Sequence, residues 1–199
     1  MLRLHCLIPL LLLCSLSLSA QISEKKYDFP TDDDINLLLV QADRAFTNYE
    51  QAVNVELTTL GKNSGAEKDR EVLTAVRDLI PRLQKSPQGF NGPAGFLLIT
   101  SLDDASRNMA VCMSQGMTRA GTGLVSGMKA SDLERPMSLA QSCISVSTLL
   151  YTISENAVNL YQKYLLANYD LQQRQQETID KCLKILQTRC TPKQKTNNQ

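Results

Sequence analysis

Sulfur and carboxylate groups are the side chains in this chain with the most chemical potential, because histidine is nearly absent. The single histidine is His5, within the first twenty residues. Without imidazole, the rest of the chain builds neither a Ser-His-Asp nor a Cys-His site, and no zinc site of the histidine-containing kind. Asp103 and Asp104 are the obvious carboxylate pair, but neighbours on a helix point about 100° apart and face water rather than one substrate atom. Asp32, Asp33 and Asp34 raise the question of calcium. Their consecutive placement splays them around a helix axis, and the alternating spacing and glycine of a calcium loop are missing. Met109, Met113 and Met117 fall at i, i+4 and i+8 beside Cys112, a spacing at which thioethers could hold Cu(I). The plainer reading makes that face core, with methionine filling gaps where nearby glycines admit a second helix. No G-x-G-x-x-G, P-loop or nucleophile elbow occurs. The expectation is a protein that is not an enzyme and has no metal, no cofactor and no catalytic residue.

Compartment follows from the amino terminus. Arg3 gives a positive start, Leu7 to Leu16 an apolar run broken by Pro9, Cys14 and Ser15, and Ser17 to Ala20 a small-residue end of the kind a signal peptidase cuts. Residues 1–20 therefore read as a signal peptide, residues 21–30 as a flexible amino-terminal segment, and the product as secreted, or periplasmic in a bacterium. About 179 of the 199 residues remain, enough for one domain. Arg3 is the only charged residue removed, so 20 acidic residues face 20 basic ones. A neutral chain lacks the long-range field that a phosphate backbone rewards, which argues against nucleic acid. No run of 18 apolar residues follows the leader, so no transmembrane segment is expected in the mature chain. No N-x-Ser/Thr acceptor is present.

The elements read as helical throughout. Thr31 followed by three aspartates is a helix start, with a hydroxyl cap and carboxylates in the first turn. Ile35, Leu38, Leu39, Ala42, Phe46, Tyr49, Val53, Leu57 and Leu60 then recur at three- and four-residue steps. Gly61 to Gly65 ends this helix, and a second continues to about Lys85, with Pro81 expected to kink or stop it. Residues 86–94 read as a loop. A third helix runs from Phe96 past Met113 and weakens as glycines accumulate. Ser131 and Glu134 suggest a capping box at the start of the next helix. Between Met137 and Pro192 there is neither glycine nor proline, and the expectation is two helices turning at 167–170, where Asn168 and Asp170 supply cap chemistry. The fold class is all-α, an up-and-down bundle of four to five helices, disulfide-stabilised, over residues 31–190, with residues 191–199 as a disordered tail.

Export places Cys112, Cys143, Cys182 and Cys190 where thiols pair. If the third and fourth helices form a hairpin turning near Gly127, Cys112 and Cys143 stand level on facing helices, within disulfide reach. Cys182 is then left for Cys190, which requires the last helix to end between them, since eight residues span roughly 12 Å of axis. The functional reading is protein–protein binding, with an unknown protein as partner. Phe90 and Asn91 in the 86–94 loop are the candidate partner contacts; the ring would otherwise fold back over the end of the bundle. The alternative is a carrier that holds a small apolar ligand between the Met109 to Met117 face and the last helices.

Overall fold

A computed structural model describes residues 28–61 and 65–190, the last five of these by backbone alone. The expected signal peptide (residues 1–20), residues 21–27 of the next segment, the tail 191–199 and the side chain of Cys190 lie outside the described residues. What is described is helical and contains no strand, so the fold class is all-α. The described residues divide into two compact units, one within 30–162 and one of residues 28–29 with 163–190.

Helix α1 spans Asp32–Leu60. Thr31 caps it as its sequence implies: Oγ1 accepts from the Asp34 backbone N–H at 3.1 Å, and Asp34 Oδ2 accepts from the Thr31 N–H at 3.0 Å. Two donors that the first turn cannot satisfy internally are thereby paired. The helix stops at Gly61, whose φ of 71° favours a residue without Cβ. Helix α2 (Ala66–Arg77) and helix α3 (Leu79–Lys85) stand where the sequence suggested one helix kinked or stopped by Pro81. The break falls at Asp78, three residues before Pro81. Proline has no N–H to return to the carbonyl of Arg77, so the ladder is interrupted there.

A 3-10 turn at Pro87–Asn91 replaces the expected loop, and helix α4 begins at Pro93, earlier than the apolar pattern indicated, and runs to Val125. Proline at the first helical position loses nothing, because its N–H would be unpaired there. Gly95 lies against the 3-10 turn: a Cβ at this position would fall 1.8 Å from the Phe90 carbonyl oxygen. The glycines later in α4 do not end it. The helix closes where Gly127, at φ 74°, lets Met128 N–H reach the Gly123 carbonyl at 3.0 Å and Gly127 N–H the Leu124 carbonyl at 3.3 Å. This is the Schellman arrangement, with glycine in the left-handed position.

Helix α5 runs from Ala130 to Cys190 without interruption. It opens one residue before Ser131, which falls inside the first turn rather than ahead of it. The turn expected at 167–170 does not form. Asn168 and Asp170 can cap a helix but do not break one, and without glycine or proline nothing offsets the continuing hydrogen-bond ladder. Gln173 donates to Tyr169 Oη at 2.6 Å and Gln176 to Asp180 at 3.0 Å, four-residue pairs of the kind that support an exposed helix.

The core of the 30–162 unit is one cluster, with Ile35, Leu39, Tyr49, Leu83, Phe90, Leu98, Leu102, Met109, Leu139 and Leu150 among its largest fully buried side chains. In the other unit the rings of Phe29 and Tyr164 pack at a tilt with centres 6.1 Å apart, and Lys163 pairs with Asp28 at 3.0 Å.

Candidate functional site

Helices α4 and α5 form an antiparallel seam held by three kinds of contact. Cys112 and Cys143 are disulfide-bonded with Cα atoms 6.1 Å apart, as a hairpin turning near Gly127 requires. Ser106 Oγ donates to the Ser147 carbonyl at 3.1 Å and Ser147 Oγ to the Ser106 carbonyl at 2.9 Å. Gly116 lets the backbones close: a Cβ there would lie 3.0 Å from the Pro136 carbonyl and 3.1 Å from Ala140 Cβ. Cys182 is also disulfide-bonded, while the side chain of Cys190, its expected partner, lies outside the described residues. The helix continues through residue 190 instead of ending between the two, and it does not turn back before Cys182. The pairing of Cys112 with Cys143 therefore rests on the α4–α5 hairpin alone.

These contacts fix which residues stand level across the seam. With Cys112 beside Cys143 and Ser106 beside Ser147, Asp103 is level with Tyr151, Ala110 with Ile144 and Met117 with Met137. The Tyr151 phenol shows this electrostatically: its ionisation is pushed up first by its hydrogen bond to Glu155 and further by Asp103 across the seam. On the side of the seam away from α1, α4 presents Ala110, Ser114, Met117, Gly121 and Leu124, and α5 presents Met137, Gln141, Ile144, Thr148 and Tyr151. Both series step by four and three residues, so each forms one straight stripe. Neither contains a charge. The five largest members, Met117, Leu124, Met137, Ile144 and Tyr151, are between 49 and 65 % exposed.

A buried polar cluster lies on the other side of α4. Tyr49 of α1 donates its phenol proton to Asp69 Oδ1 of α2 at 2.7 Å and accepts from Asn108 Nδ2 of α4 at 3.3 Å. Glu56, two turns beyond Tyr49, also hydrogen-bonds Asp69 and takes a bond from the Gly65 backbone. Glu56 and Asp69 are each 1 % exposed, and Glu56 Oε2 has no hydrogen-bond partner. Two carboxyls bonded to one another share a proton. Burial, then the bond to Asp69 and its charge, push the Glu56 carboxyl up to about 7. The same burial raises Tyr49 well above the ordinary phenol range, so it remains a donor. Such a pair has the makings of an acid–base dyad, but at 1 % exposure no substrate atom reaches it, and its effect is to join α1, α2 and α4.

The residues singled out in the sequence are distributed differently from the expectation. Phe90 is fully buried, edge-on to Tyr161 with ring centres 6.2 Å apart, so the ring packs inward and offers a partner no surface. Asn91 is half-buried and donates to Gln88 at 3.1 Å, and Gln88 in turn donates to Asp32. Asp103 pairs with Arg107 at 2.6 Å on the surface, and Asp104 faces solvent. The three methionines do not share an environment: Met109 is buried, Met113 half-buried and Met117 exposed. Sequence reasoning missed both the outer face and the buried carboxyls. The first was visible as the run Ala110, Ser114, Met117, Gly121, Leu124, and the second as a glutamate lying within an apolar stripe.

An open cleft of about 670 Å³ between the end of α1 and the start of α5 is lined by Val55, Thr58, Thr59, Glu134, Arg135 and Ser138, a polar wall unsuited to an apolar ligand. Among the described residues no group of three histidine, cysteine or carboxylate side chains is placed to hold a metal. No described helix is long and apolar enough to cross a membrane. This chain matches no protein-family model, no curated protein and no solved structure.

Proposed function

We propose that this is an exported, non-catalytic protein with an up-and-down helical-bundle topology, stabilised by disulfides, that acts by protein–protein binding through the outer face of the α4–α5 hairpin. The observation that carries the reading is the pair of uncharged stripes, with five large apolar or aromatic side chains about half exposed. Contiguous exposed apolar surface of this kind marks interaction sites on folded proteins. The Cys112–Cys143 bridge supports export, since such bonds persist in oxidising compartments. A carrier would have to open the α4–α5 seam beside Met109, where the same bridge holds it shut.

The test is affinity capture from the fluid bathing the producing cells, with the disulfide-bonded chain and its Ile144→Arg variant as baits. A protein retained by the first and lost by the second, with unchanged helical circular dichroism in both, supports the reading. Equal retention by both baits overturns it.

A further inference from the structure

We infer that the partner of this face is a second copy of the same chain, packed antiparallel across a two-fold axis. The inference rests on the binding reading above and names its occupant.

Four levels can be followed along the face, set by the register of the seam. They are Asp103 with Tyr151, Ala110 with Ile144, Met117 with Met137, and Leu124 with Ala130. Reversing the direction of a second copy and laying it face to face brings the first level onto the fourth and the second onto the third. Small meets large at two of the four pairings, Ala110 opposite the second copy's Met117 and Tyr151 opposite its Ala130, while Ile144 meets the second copy's Met137 and Asp103, held by Arg107, meets its Leu124 at the rim. Alternation of this kind lets two helical ridges interdigitate without voids. Gly121 deepens the surface, because nothing lies within 4 Å of where its Cβ would stand. An isologous contact needs this self-complementarity, since one patch serves both sides.

Charge at the two ends points to the same direction. One end of the face is flanked by Glu155 of α5 and the other by Lys129, both exposed. In the antiparallel arrangement, which lays α5 on the second copy's α5, Glu155 comes level with the second copy's Lys129. A parallel arrangement would instead set like against like, Glu155 level with Glu155 and Lys129 with Lys129. Opposite charges at a rim select register and orientation more than they add affinity.

Size fits a modest dimer. About 21 residues of helix give a face roughly 30 Å long, and two helices 8–10 Å apart make it under 20 Å wide. That is roughly 500–600 Å² per copy, or just above 1,000 Å² for the pair, at the lower edge of specific interfaces. An interface at that edge belongs with the weak, reversible ones.

Sedimentation velocity of the disulfide-bonded full chain between 1 and 200 µM reads this directly. The expected result is a reversible monomer–dimer equilibrium that Ile144→Arg and Met117→Lys each weaken at least tenfold, with helical circular dichroism unchanged. Lys129→Glu and Glu155→Lys should each weaken dimerisation about two- to fivefold, and the double variant should restore it. A chain still monomeric at 200 µM, a dimer indifferent to Ile144→Arg, or a double charge swap without rescue overturns the inference. The binding reading fails separately: a monomeric chain that captures a different protein in an Ile144-dependent way sinks the second copy and leaves that reading standing.

Discussion

Tyr49 gives its phenol proton to Asp69 across 2.7 Å, in a place where neither residue is more than 1 % exposed. The bond links α1 to α2 over the short connection at 61–65, and Asn108 extends it to α4. Replacing Tyr49 by Phe keeps the ring and removes the donor, leaving a buried carboxylate oxygen with one bond fewer. The expected loss is about 2–3 kcal/mol, the range for orphaning a charged buried acceptor. Urea unfolding with an unchanged m-value is the measurement. A loss under about 0.5 kcal/mol would show that water replaces the phenol.

The Glu56 carboxyl gives the fold a pH dependence. Folded, it holds its proton up to about pH 7; unfolded, it releases it near the ordinary 4.5. Between those values the folded state binds more protons, so stability falls as pH rises. The contribution is complete below about pH 4.5 and is lost as pH climbs through 7. Its full size is on the order of 3 kcal/mol. Glu56→Gln, which cannot ionise, should gain on the native chain by about that amount between pH 5 and pH 8, measured by denaturant midpoints at each pH. Parallel curves for the two proteins would refute the assignment.

Two glycines of α4 should respond in opposite directions. At Gly95 an added methyl group would strike the Phe90 carbonyl, a backbone atom with little room to move. Gly95→Ala is therefore expected to cost at least about 2–3 kcal/mol, typical of overpacking against a fixed neighbour. Gly121 faces open space within a helix, and Gly121→Ala should gain up to about 1 kcal/mol from helix propensity. Thermal melts of the two variants, recorded below the dimerisation range, check both signs.

Removing the bridge by changing Cys112 and Cys143 together to Ala should cost about 3–4 kcal/mol. Loop-closure entropy for a separation of 31 residues sets that figure. Calorimetry of the double variant against the native chain provides the test, and a melting point within about 2 °C of the native value would contradict it.

Local signals in the sequence carried a large part of this fold. Thr31 with its aspartates specified the start of α1, and Gly127 specified the turn that sets Cys112 opposite Cys143, because caps and left-handed glycines act within a few residues of themselves. What escaped depended on distance or on degree. Asp69 sits in a run of charged residues that looks like a solvated helix, and only the approach of α1 buries it. Phe90 could face either way until Gly95 and Tyr161 fixed its position. Helix α5 runs past the turn that Asn168 and Asp170 suggest, because cap-forming residues do not break a helix that has no glycine or proline there. Met117 stands outside the core that holds Met109, because eight residues of helix rotate a side chain by about 80°. That rotation separates the inside of the hairpin from its outer face.

The exposed turn after α4 lies inside the loop closed by the Cys112–Cys143 bridge. A protease that nicks the chain between Val125 and Lys129 would therefore release nothing. The two fragments would travel as one species on a non-reducing gel, and only a thiol reductant would reveal that the polypeptide had been cut.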